Sequence, residues 1–239
     1  MQPFQQDSSR STLLRAITCE AFACFAKSLR KVELQQGTTL AVAGTTTSVV
    51  YFPETAIAST VAIHADGSFV DVGLAGHEGL VGWPILLSEE HSPFDVVVHT
   101  SGSVLQMDAG EFIEACRSHP DAAATFLRYV TAFTVQIGRT AVSNLRDPVE
   151  RRLSRWLLMF HDRLEGDEID LTHKTIASML GIRRASVTDG LHRLEGHNVI
   201  RNRRGRIVIR DRAQLRHMAG DGYGQAEAHY SRSIAPFGK

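Results

Sequence analysis

Between residues 32 and 107 the apolar positions come in short runs. Residues 48–52, 60–64, 69–74 and 95–99 are rich in Val, Ile, Thr and Phe, and glycines at 37, 44, 67, 73, 76, 79, 82 and 102 punctuate the region. This texture predicts short β-strands, with Ala65-Asp66-Gly67-Ser68 as a hairpin turn between two of them. Many short strands with regular turns predict a small barrel or roll. Beyond Pro120, which suits the first turn of a helix, the period changes. Phe126, Phe133 and Thr140 recur every seven residues, and so do Val130, Ile137 and Asn144. These columns predict a long helix with a heptad seam facing a partner helix, Asn144 forming its polar last layer. The same stripe also fits against the chain's own β domain, and a long helix has a face for each. Asp147-Pro148-Val149-Glu150 predicts a further helix. Asp147 is its N-cap, Pro148 its first position and Glu150 the end of a capping box. Leu153, Trp156, Leu157, Phe160 and Leu164 mark its buried side, and the break between Asn144 and Pro148 predicts a hinge.

Residues 171–194, LTHKTIASMLGIRRASVTDGLHRL, carry the most specific pattern. Thr172 can cap a first helix, and Ile176 and Leu180 give it one apolar face. Ala177 lets a second helix cross close by, and Gly181 falls where a sharp turn needs no side chain. Ile182, Val187, Leu191 and Leu194 are the buried side of the second helix. Arg183, Arg184, Ser186, Thr188, Asp189, His192 and Arg193 fall on or beside its wet face. A helix packed on one side and polar on the other fits the major groove of double-stranded DNA. Thr172 joins the candidate contacts from the first helix.

A hairpin follows. Val199-Ile200 and Ile207-Val208-Ile209 are β-prone, Gly205 permits a tight turn, and Asn198 suits the left-handed residue that ends a helix. Arg201, Arg203, Arg204 and Arg206 crowd this ribbon and repel one another unless phosphates lie opposite, which positions a protein without reading sequence. Total charge hides the asymmetry, because the chain holds 26 basic and 26 acidic residues. Residues 146–220 hold 16 Lys and Arg against 10 Asp and Glu, and the remainder holds 10 against 16. Nucleic acid favours the first part and avoids the second.

The chain of 239 residues, 43% of them hydrophobic, suits two modest domains. The expected division is an N-terminal segment (1–28), a β-roll sensor (29–118), a dimerisation helix and hinge (119–146), a winged helix-turn-helix (147–220) and a flexible tail (221–239). The polar start, MQPFQQDSSRST, is expected to fray, and the Gly- and Ser-rich tail to be loosely ordered. No apolar run reaches membrane-spanning length and no secretory signal opens the chain. Three cysteines without a regular framework fit a reducing cytoplasm.

A β-roll, a long helix, a hinge and then a winged helix-turn-helix, together making an α+β fold, resemble the Crp/Fnr family of bacterial transcription regulators. The resemblance covers about residues 30–217 and includes the roll stretch GLAGHEGLVGWPILLS. It implies a cytoplasmic homodimer on a two-fold operator, contact with RNA polymerase, and an effector domain that biases DNA binding. The family's cyclic-nucleotide binders carry a Gly-Glu for the ribose and an Arg-Ser or Arg-Ala for the phosphate. The matching positions here read Gly82-Trp83 and Pro93-Phe94-Asp95, so both groups are missing and Asp95 repels a phosphate. No cyclic AMP is expected in the family's usual pose, and the effector is left unassigned. Arg184-Ala185 and Asp189 also depart from the family's best-known reading helix, so its usual half-site does not carry over.

Other sensors and other classes fare worse. An iron–sulfur cluster needs four ligands, and Cys19, Cys24 and Cys116 are three. His64, His77, His91 and His99 are haem ligands by type alone. A metal-dependent cupin-like enzyme needs converging imidazoles, and no His-x-His occurs. The chain is expected to be neither an enzyme nor a holder of a metal or cofactor. A roll that receives a protein partner stays open.

Overall fold

The computed structural model describes residues 4–239. Two antiparallel sheets form the first half. One is ordered β1 (Arg30–Leu34), β7 (Gly102–Asp108), β3 (Val49–Pro53). The other is β2 (Thr39–Ala41), β6 (Asp95–Thr100), β4 (Ile57–Ile63), β5 (Phe69–Ala75). The expected hairpin joins β4 to β5, with Ile63 opposite Phe69. Gly67 takes the left-handed φ of +79° that the turn needs, and Asp66 Oδ1 accepts from Ser68 N at 2.9 Å.

Phe25, Phe52, Phe112 and Phe126 meet under the first sheet. Phe126 lies 5.5 Å from Phe25 and from Phe112, and 5.6 Å from Phe52, between ring centroids. Phe25 comes from α2 (Cys19–Phe25) and Phe112 from α3 (Ala109–Ser118). The N-terminal segment is folded rather than frayed from residue 4 onward. Gln6 donates to the carbonyls of Leu14 and Ile17, both at 2.9 Å, and Leu13 and Leu14 of α1 (Thr12–Ala16) are fully buried. The first three residues of the expected frayed stretch lie outside the described residues.

The long helix α4 spans Pro120–Arg146. The expected seam is mostly occupied by the chain itself. Phe126, Val130, Phe133 and Thr140 are buried within one protomer, Ile137 is half-buried, and only Asn144 is exposed. Bulky aromatic side chains remove the most area from water, so the roll claims that face first. Gly73 of β5 permits it, since a Cβ there would lie 2.7 Å from the Phe133 ring.

The second half opens with α5 (Val149–His161), whose cap differs from expectation. Pro148 takes the N-cap position with no side-chain cap, while Asp147 ends α4 and pairs with Arg151 at 3.4 Å. Leu153, Trp156, Leu157 and Phe160 are buried as anticipated, and Ile57 and Leu74 of the roll join the same core. The tail also departs from expectation. It forms α9 (Gln225–Ser233), packed on α4 with Tyr230 buried. Tyr223, Tyr230 and Phe237, seven positions apart among Gly and Ser, supply the missing apolar contact.

Candidate nucleic-acid interface

Helices α6 (His173–Leu180) and α7 (Arg184–Gly196) form the two arms of the predicted motif. Thr172 Oγ1 accepts from Thr175 N at 3.1 Å and so caps α6. Gly181 turns the chain at φ +61°. Val187, Leu191 and Leu194 are fully buried and Ile182 is half-buried, which orients α7. Gly190, which the sequence pattern did not single out, sets how close α7 comes to α5. A Cβ there would stand 2.4 Å from Leu153 Cδ1. Arg152 of α5 donates to the Leu180 carbonyl and closes the end of α6.

The opposite face of α7 is polar and open. Arg183, Arg184, Asp189, His192 and Arg193 are exposed, and Ser186 and Thr188 are half-buried. Arg183 is the N-cap and offers no side-chain acceptor, so the first backbone N–H groups of α7 point outward with the positive end of the helix dipole. Thr188 is tied from both sides: it donates to the Arg184 carbonyl at 3.1 Å, and His173 Nδ1 lies 3.0 Å from its hydroxyl. The other ring nitrogen of His173 lies 3.3 Å from Asn202 Oδ1. His173, missed in the sequence, thus pins both helices to the hairpin. Only the fold brings its partners, 15 and 29 residues away, together.

The hairpin is β9 (Ile200–Arg203) and β10 (Arg206–Ile209), with β8 (Glu168–Ile169) as a third strand. Gly205 turns it at φ +75°, and Asn198 at φ +59° ends α7 as the sequence predicts. Arg203 faces Arg206 across the strands. The four arginines are not equivalent. Arg206 pairs with Glu168 at 2.8 Å and Asp170 at 2.9 Å, and the hydrogen bond to Asp170 raises its pKa further. Arg193 sits 3.5 Å from Glu150. Among the described residues, Arg183, Arg184, Arg201, Arg203 and Arg204 have no acidic partner within pairing distance, which leaves them free for an anion.

The roll holds a small cavity between β4, β6 and α4. Gly82, Trp83, Pro84, Pro93, Phe94, Tyr129 and Phe133 line it, and its volume is about 20 Å³. The rings of Trp83 and Phe133 meet there at 5.9 Å, tilted by 59°. That volume holds about one water, and a cavity of about 300 Å³ adjoins it, lined by Tyr51, Val81, Gly82 and Ser92 among others. Cys116 is buried, and burial pushes its thiol up to about 12, which disfavours the reactive thiolate. Among the described residues, no helix is long and apolar enough to cross a membrane.

Comparison with known proteins agrees with both halves. The cyclic nucleotide-binding domain family matches residues 31–119, and the Crp-like helix-turn-helix domain family matches residues 151–218. Among solved structures, FixK2 from Bradyrhizobium japonicum superposes with a TM-score of 0.69 at 15% identity, over 80% of this chain and 96% of that one. A CRP-family transcriptional regulator from Thermus thermophilus gives 0.66 at 18% identity, over 80% and 97%. The c-di-GMP responsive global regulator CLP of Xanthomonas campestris gives 0.63 at 14% identity, over 80% and 99%. These likenesses show the fold. A sequence search of curated proteins finds no match.

Proposed function

Starting from a chain that belongs to the Crp/Fnr family of DNA-binding transcription regulators, we propose that it works as a cytoplasmic homodimer reading a two-fold operator with α7 and holding the flanking phosphates with its wing. One observation carries this reading: the open face of α7 and the turn of the hairpin present Arg183, Arg184, Arg201, Arg203 and Arg204 without acidic partners. Arg184, at the helix start, is placed to pair with a guanine edge, while Arg203 and Arg204 lie where phosphates run. Arg206 and Arg193, spent on acidic neighbours, contribute less than the sequence reading assigned them. Thr172 and Thr188 act by fixing helices rather than by touching bases.

The dimer surface is the outer stripe of α4. Leu127, Thr131, Thr134, Gly138, Ala141 and Leu145 are exposed and spaced alternately four and three apart. The stripe carries no charge, and Gly138 meets nothing within 4 Å, which lets two such helices approach closely. Two-fold pairing through α4 spaces two reading helices for half-sites about one DNA turn apart. The roll, which has Trp83 and Pro93-Phe94-Asp95 in place of the acid and the arginine, is assigned no cyclic nucleotide. RNA polymerase is the partner through which such a dimer acts, and no reaction is assigned to the chain.

An operator selected from a randomised duplex pool supplies the test. Arg184→Ala is expected to cost about 1–3 kcal/mol on the operator and much less on random DNA. Arg204→Ala is expected to weaken both alike and to lower the salt slope by about one unit. Equal losses on both duplexes for Arg184→Ala would show that α7 is not the reader.

A further inference from the structure

We propose that residues 221–239 form a strap that closes the DNA-binding unit onto the sensor roll, and that DNA competes with this closure for the start of α7. The inference rests on the DNA-binding reading above. The strap lies beyond residue 218, where the helix-turn-helix match ends. It starts from α8 (Arg212–Ala219) and touches three parts of the molecule.

On the DNA-binding unit, the Tyr223 hydroxyl donates to Asp162 Oδ2 at 2.5 Å, and Arg212 donates to Asp162 Oδ1 at 2.6 Å and to the Tyr223 hydroxyl at 2.8 Å. Arg155, buried in α5, donates to the Gly222 carbonyl at 2.9 Å. On α4, Ala226, Glu227 and Tyr230 close over Ala132 and Gln136, and Arg139 donates to the Asp221 carbonyl. On the roll, the Tyr230 hydroxyl donates to the Glu78 carbonyl at 2.9 Å, and Phe237 lies 5.8 Å from His77. Phe237 also lies 5.1 Å under Arg163, just past α5, whose guanidinium holds Glu78 at 2.6 Å in a fully buried pair. The strap thus spans the Asp147-Pro148 hinge and seals the buried Arg163–Glu78 ion pair that joins the two units.

Closure has a consequence at α7. Gly181, at the turn of the motif, sits so near the roll that a Cβ would lie 2.5 Å from Val70 Cγ1. The β4–β5 hairpin and the start of α7 face each other across a groove of about 890 Å³, lined by His64, Phe69, Val70, Lys174, Arg183 and Arg184. Asp66 stands at the hairpin tip with its pKa held below the usual carboxylate range by the Ser68 hydrogen bonds. A duplex seated on Arg183 and Arg184 needs the space that Phe69 and Val70 of the hairpin border, so the closed hairpin and the duplex exclude each other there.

A chain ending at Gly220 tests this, with Phe237→Ala in the full chain as a second variant that keeps α9 and its buried Tyr230. Hydrogen exchange without DNA reads closure: amides of Phe69–Ala75 and His173–Leu180 should exchange faster in both variants. Affinity for a random duplex of about 30 base pairs at low salt reads competition, and it should rise at least about fivefold in the truncated chain. Unchanged exchange in both variants would overturn the strap. Looser exchange with unchanged or weaker DNA binding would overturn the competition. A duplex bound by neither chain would overturn the DNA-binding reading instead, with the exchange arm still deciding whether the strap closes the units.

Discussion

Trp83 stands where the Crp/Fnr resemblance would place a ribose-holding acid, and its ring meets Phe133 of α4 at 5.9 Å. Phe94 lines the same small cavity, and neither side chain supplies the acid or the arginine that a cyclic nucleotide needs. Calorimetric titration with cyclic AMP is expected to show no binding at physiological concentration. Trp83→Ala reopens space without restoring the acid or the arginine, so it too should stay silent. Micromolar affinity in either protein would defeat this account of the pocket. The same contrast between local and distant causes separates the arginines. That Arg184 and Arg204 are exposed was legible, because the spacing of Val187, Leu191 and Leu194 and the turn at Gly205 place them outward. That Arg206 is neutralised was not, because Asp170 reaches it only once β8 pairs with β10 across 36 residues of sequence.

The helix α4 shows how far periodicity reaches at the scale of an element. The heptad columns gave a long helix with a buried seam, and both exist. Which face meets the chain's own roll and which stays open was not in the spacing, because a stripe every seven residues fits a partner in cis or in trans equally well. Size decides it. The phenyl rings of Phe126 and Phe133 fill the roll core, and the smaller Thr131, Thr134, Gly138 and Ala141 remain outside. Ala141→Asp therefore places a charge in the proposed dimer seam without touching the monomer core. It should yield folded monomers by light scattering and lose operator binding, since an uncompensated charge in an apolar seam costs several kcal/mol, on the order of 2–7. Phe133→Asp should instead lower the melting temperature of the protomer itself. A dimeric Ala141→Asp protein would defeat the outer-stripe assignment. The tail makes a complementary case: Tyr223, Tyr230 and Phe237 looked sparse among Gly and Ser, yet three anchors hold it.

Acid stability belongs to the whole molecule, because His161 joins α5 to α8 and to the loop before β8. Arg212 donates to His161 Nδ1 at 3.0 Å, so the ring is neutral there and its Nε2–H points to Asp167 Oδ1 at 2.8 Å. Burial lowers the His161 pKa below its ordinary value near 6.5, against the opposing pull of the Asp167 hydrogen bond. The unfolded chain therefore takes up the proton first. The stability from this junction is full above about pH 6.5 and is lost as pH falls toward the lower folded value. Between about pH 7.5 and 5.5 the native protein should lose more thermal stability than His161→Gln, which keeps a donor and an acceptor without a titrating ring. Equal losses would remove His161 from the linkage. The sequence by itself determined the strands of the roll, the long helix, the helix-turn-helix with its wing and the family resemblance, because hydrophobic period, turn residues and caps act over a few positions and are written locally. Only the tertiary structure decided the helices of both terminal segments, the free arginines, the outward face of α4 and the path of the tail across the hinge. Each depends on which distant surfaces compete for the same burial or the same charge, and that competition is settled only when the whole chain has packed.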